Sequence, residues 1–176
     1  MIIPRRRLQD NKLDRPRIRP EMGPADWILE LLAITLLVSF FAYLIYNYPK
    51  LPASIPSHFN TSGEADEFSA RDTLWALPAI ALFTYSLLTI ISRFPHTFNF
   101  TVKITAQNAL RQYTLAIRMI RFIKLVITGM FLTISLGIVR VAMGQSTGLG
   151  FWFMPVFLIL IFVPIIIYFV MASRKN

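Results

Sequence analysis

Four apolar blocks, over about residues 27–46, 74–91, 122–143 and 151–170, leave this chain few folds to choose from. Each is about 18–22 residues long. At ~1.5 Å per helical residue that length matches the ~30 Å hydrocarbon core of a bilayer. The blocks lack the polar face of an amphipathic helix and the alternation of a half-buried strand, so water is the wrong solvent for them. A chain 55% hydrophobic and only 15% charged agrees. The expected fold is therefore all-α: a polytopic membrane protein with four transmembrane helices. Trp27 at one end of the first block, and Tyr43, Tyr46 and Tyr48 at the other, are aromatic anchors for the two interfaces.

The net charge of +9 raises a nucleic-acid reading, and the placement of the charge argues against it. Seven of the eighteen Lys and Arg lie between Arg5 and Arg19, and six more between Arg93 and Lys124. Both clusters abut apolar blocks, where basic residues face anionic lipid, instead of decorating one face of a soluble domain. Residues 1–24 form a basic, proline-bearing arm without periodicity, expected to be mostly disordered. The block that follows is too long for a cleaved signal peptide and reads as an uncleaved signal anchor. Basic flanks inside predict a cytoplasmic N-terminus and C-terminus, with the 48–73 loop outside. That loop carries Lys50 and Arg71 against Glu64, Asp66, Glu67 and Asp72.

Residues 25–176 then form one four-helix domain joined by two polar intervals of special character. In the first, YPKLPASIPSHFNTSGEADEFSARDT, Pro49, Pro52 and Pro56 deny the chain a helix, which predicts an ordered, extended extracytoplasmic loop. Its His58, Asn60, Gly63, Glu64 and Asp66 are the candidate ligand-binding or loop-shaping residues. His58, Asn60, Glu64, Asp66 and Glu67 are suitable ligand types for a divalent ion, without a tight metal spacing such as H-E-x-x-H. The alternative is that His58 and Asn60 hydrogen-bond the loop's own backbone while Gly63 supplies a positive φ. Ser69 is expected to cap the second helix through an S-x-x-D box. In the second interval, Thr105 is expected to cap a cytoplasmic amphipathic helix that runs into the third span. Its Arg111, Arg118, Arg121 and the following Lys124 are expected at the lipid interface. Glu30, one turn inside the first span, either stays at headgroup level or pairs with Arg121 or Lys124.

The loop LPASIPSHFNTSGEADEF resembles the pattern L-P-x-x-I-P-x-H-[FW]-N-x-x-G-x-x-D-x-[WYF] of a bacterial membrane domain of unknown function. That domain is also found at the N-terminus of sporulation-delaying-protein immunity proteins. FPHTFNFTVKITAQNALRQY is similar to the same family's second motif, matching at His96, Asn99, Lys103, Thr105, Asn108, Gln112 and Tyr113. Thr101 stands where a proline is common, and the resemblance covers about residues 48–125. It implies a bacterial cytoplasmic-membrane protein with an immunity-like or sensor-like role.

No catalytic residues, cofactor or metal emerge. Ser57 or Ser62 beside His58 does not make a nucleophile–base pair with an oxyanion site. The span interiors carry Ser and Thr but no midplane Asp, Glu, Lys or His that would mark an ion path. The expected function is non-enzymatic recognition or sequestration of an extracytoplasmic peptide or toxin through the 48–73 loop. The alternative is a metal-dependent membrane enzyme with its site around His58 and Asp66. The expected partners are a bilayer with anionic lipid on the cytoplasmic side, the outer ligand and a second copy of the chain, with no nucleic acid.

Overall fold

The computed structural model describes residues 12–174; residues 1–11 of the basic arm and residues 175–176 lie outside the described residues. Four helices carry the chain: α1 (Pro24–Asn47), α2 (Ala76–Ile91), α3 (Ala109–Ala142) and α4 (Phe153–Ser173). All four lie in segments long and apolar enough to cross a membrane. The protein is a multi-pass membrane protein. Between α1 and α2, strands β1 (Ser54–Phe59) and β2 (Ala65–Ala70) pair antiparallel as a hairpin, so the fold is mostly helical and not all-α as expected. Pro56 lacks an N–H yet sits within β1. A two-stranded sheet has only edge strands, where that missing donor breaks no second ladder.

The first span begins at a built cap. Pro24 takes the first helical position, where its missing N–H costs nothing, and Asp26 Oδ2 accepts the Gly23 N–H at 3.0 Å. The second span departs from expectation. Ser69 lies in β2 and bonds Thr73 Oγ1 at 2.8 Å, so it does not cap α2. A 3-10 turn over Arg71–Trp75 leads directly into the helix. The segment expected as an amphipathic helix running into the third span is one unbroken helix of 34 residues. Its N-cap is Asn108 and not Thr105 as expected; the two residues bond reciprocally in the turn before the helix, where Asn108 Oδ1 accepts the Thr105 N–H at 2.8 Å and Thr105 Oγ1 accepts the Asn108 N–H at 3.4 Å.

α3 is the central post, with α1, α2, α4 and β1 all packed against it. The core joins Leu37, Phe40 and Leu44 of α1 to Ala81 of α2, Ile138 and Val139 of α3, and Ile55 of β1. Ile55 is 1% exposed, which seats the hairpin on the ends of three helices. Only Ala172 of α4 is buried by protein, leaving an apolar cylinder that hydrocarbon solvates without cost. The hairpin and the turn between α3 and α4 lie at one end of the bundle. Residues 12–23, the 92–108 connection and the last turn of α4 lie at the other.

Candidate functional site

The hairpin end is built around a turn that Asn60 closes with its own side chain. Asn60 Oδ1 accepts the N–H groups of Ser62 at 2.9 Å and Glu64 at 3.0 Å. Its backbone N–H donates to the Glu64 carbonyl at 2.9 Å, while Gly63 turns the chain at φ +80°. The tip is then gripped by the α3–α4 turn: Leu149 N–H donates to the Gly63 carbonyl at 2.7 Å, and Ala65 N–H donates to the Thr147 carbonyl at 3.3 Å. A Cβ on Gly63 would lie 2.7 Å from the Gly150 carbonyl oxygen, and one on Gly148 would overlap the Gly63 carbonyl. Glycine is required here because two backbones touch. Leu149 packs over Gly137 of α3, where a side chain would displace it.

Between this clasp and the bundle lies a cavity of about 390 Å³. Ser57, Phe59 and Asn60 of the hairpin face Ile134 of α3 and Phe151 and Met154 at the start of α4 across it. Its wall is chiefly aromatic and aliphatic, with the amide and hydroxyl groups on the hairpin side. Asn60 and Gly63 belong to it; His58 and Asp66 do not. These two pair on the exposed face of the hairpin, His58 Nδ1 to Asp66 Oδ1 at 2.6 Å, with His58 59% and Asp66 41% exposed. The hydrogen bond to Asp66, then that carboxylate's charge, holds the His58 pKa above its ordinary value, and Glu67 adds to the rise. Glu64 takes part through its backbone. Among the described residues no three His, Cys, Asp or Glu side chains converge on a metal position, and nothing favours the metal-enzyme alternative.

At the opposite end, residues of the second motif assemble a small lobe. Arg15 Nη1 donates to the His96 and Phe98 carbonyls at 3.0 and 2.6 Å, and Lys12 Nζ to the Thr97 carbonyl at 2.9 Å. Phe100 lies between Arg15 and the Tyr113 ring, and Tyr113 donates to the Pro16 carbonyl at 3.1 Å. Asn108 Nδ2 donates to the Lys103 carbonyl, and Gln112 Nε2 to the Ala172 carbonyl, both at 2.9 Å. Asn99 lies in the same segment with no hydrogen bond among the described residues.

The basic residues expected at the lipid interface are turned to partners inside the protein. Asp26, 1% exposed, accepts from Arg118 Nε and Nη2 at 3.1 and 3.0 Å and pairs with Arg121 Nη1 at 2.9 Å. Glu30 takes Arg121 Nε at 3.2 Å, Lys124 Nζ at 2.7 Å and the Tyr85 hydroxyl at 3.3 Å. Lys124, 2% exposed, also donates to Thr89 Oγ1 at 3.0 Å. Of the two expectations for Glu30, pairing is the one realised. Asp26, Tyr85 and Thr89 did not stand out in the sequence. The available signal was spacing: carboxylates at 26 and 30 share a helix face, as do cations at 118, 121 and 124. Arg111 donates to the Arg174 and Met171 carbonyls at 3.1 and 2.7 Å and so ties α3 to the end of α4.

Part of the chain is similar to a known family and to a relative. The family described as a domain of unknown function (DUF1648) matches residues 33–82, from the middle of α1 through the hairpin into α2. An uncharacterized protein of Archaeoglobus fulgidus is 36% identical over 87 residues, covering 45% of this chain and 46% of that protein. The chain thus spans less than half the length of that relative. No solved structure matches.

Proposed function

We propose that this protein is a non-enzymatic membrane receptor or immunity-like factor whose hairpin faces outward and takes an apolar ligand side chain. The observation that carries this reading is the cavity of about 390 Å³ between the Asn60–Gly63 tip and the start of α4. Phe59, Ile134, Phe151 and Met154 favour an aliphatic or aromatic group, and Ser57 and Asn60 offer hydrogen bonds to a neighbouring peptide bond. The paired backbones at Gly63 and Leu149 hold the wall in place, so little ordering is required on binding. Basic flanks on the arm, the 92–108 connection and the C-terminus favour a cytoplasmic position for the opposite end. The His58–Asp66 pair supports the hairpin from its exposed face.

The absence of cysteine makes orientation directly measurable. A single cysteine at Ser62 should react with a membrane-impermeant maleimide in intact cells, and one at Ser173 only after permeabilisation. Recognition is tested by placing photoreactive benzoylphenylalanine at Thr61, which lines the cavity. A peptide adduct of defined mass is expected on irradiation of intact cells, and Ile134→Trp, which fills the cavity, should abolish it. Capture of lipid alone, or an adduct indifferent to Ile134→Trp, sinks the recognition reading.

A further inference from the structure

A second cavity lies at the other end of the bundle, and its chemistry differs from the first. It measures about 470 Å³ and is enclosed by the 102–108 segment, the first turns of α3 and the last turn of α4. Lys103, Arg111 and Arg174 line it, and among the described residues no carboxylate does. Among the described residues neither the Lys103 ammonium nor the Arg174 guanidinium has an acidic partner. Arg111 is anchored by its two bonds to α4 carbonyls, which leaves its remaining N–H groups in a fixed fork. Those bonds, with that of Gln112 to Ala172, also cover carbonyls that would otherwise repel an anion. Asn108 and Gln107 bring the N-terminal end of α3 to the same wall, and the helix dipole there adds positive potential.

Gln112 is the second, independent sign of a ligand. It is 2% exposed, and its Oε1 has no hydrogen-bond partner. The side chain cannot simply flip, because its Nε2 donates to the Ala172 carbonyl and a flip would set two oxygens face to face. A buried acceptor without a donor is rare and calls for a group that supplies one. We propose that this cavity binds a phosphate ester carrying a free hydroxyl, the phosphate held by Lys103, Arg111 and Arg174 and the hydroxyl donating to Gln112 Oε1. Such chemistry comes either from a phosphoglycerol lipid headgroup or from a soluble phosphorylated polyol. The site is independent of the hairpin cavity and of which side of the membrane it faces.

The test uses the full chain in nanodiscs, wild type beside Lys103→Glu. The Lys103 side chain makes no contact that holds the fold, so this variant should fold normally. Retention of phosphatidylglycerol over phosphatidylcholine is read by native mass spectrometry, and binding of glycerol 3-phosphate by its shift of the melting temperature in phosphatidylcholine discs. Wild type is expected to prefer one phosphoglycerol source at least tenfold over its neutral or phosphate-free counterpart (phosphatidylcholine, or glycerol). Lys103→Glu should lose that preference. Lipid preference alone identifies a headgroup site; a melting shift with glycerol 3-phosphate identifies a soluble ligand. Binding of neither, or equal binding by wild type and Lys103→Glu, overturns the proposal.

Discussion

Replacing Glu30 by Gln should be the most damaging single change in the cluster that joins α1, α2 and α3. Two carboxylates, Asp26 and Glu30, face three cations, Arg118, Arg121 and Lys124, so the cluster carries one surplus positive charge. Glu30→Gln leaves Asp26 alone against all three. Lys124, 2% exposed, then keeps a neutral amide, Thr89 and the face of the Tyr85 ring 4.2 Å away, but no carboxylate. Removing one partner of a buried ion pair costs about 3–5 kcal/mol, and that is the expected loss here. Lys124→Met should cost less, about 1–3 kcal/mol, because Glu30 retains Arg121 and Tyr85 and the cluster becomes neutral. The double variant restores the original surplus charge. Its loss should therefore fall short of the sum of the single losses by about 1–3 kcal/mol. Unfolding free energies measured in mixed micelles by titration with sodium dodecyl sulfate, followed by circular dichroism, give all three values. If Lys124→Met is the more harmful single change, or the two losses simply add, the charge argument is wrong and the cluster is held by packing.

The hairpin supplies three further predictions. Gly148→Ala should cost about 2 kcal/mol or more, because its Cβ lands on the Gly63 carbonyl, whereas Gly144→Ala, at φ +70° in open space, should cost only about 1 kcal/mol. Melting temperatures of the two variants decide this. Asn60→Ala deprives the Ser62 and Glu64 N–H groups of their acceptor; hydrogen exchange at both should accelerate, with about 1–2 kcal/mol lost from the hairpin's local stability. His58, titrated by NMR, should show a pKa above the ordinary ~6.5, and Asp66→Asn should return it towards that value. Because the folded pKa is the raised one, the pair's support is complete below the ordinary value and fades as pH rises through the raised value. Hairpin protection factors, which divide out the base-catalysed intrinsic exchange, should therefore fall over that window and stay level in Asp66→Asn.

Much of this architecture was legible in the chain. The first span was expected at 27–46 and is found in Pro24–Asn47; the fourth was expected at 151–170 and is found in Phe153–Ser173. Hydrocarbon imposes that legibility, since an apolar run of sufficient length has no other solvent and must satisfy its backbone as a helix. Gly63 was also readable, because a positive φ at a turn depends on a few neighbouring residues. The hairpin was not. Three prolines hid β1, and its register depends on Ile55 finding a pocket among helices that lie far along the sequence. Nor could the sequence reveal that Gly148 meets Gly63, or that Asp26 shares Arg121 with Glu30. Local composition by itself determined the solvent, the number of spans and the candidate loops. Only the tertiary structure decided which polar groups meet, because contacts across the bundle depend on how helices rotate and dock, and no short stretch of chain encodes that.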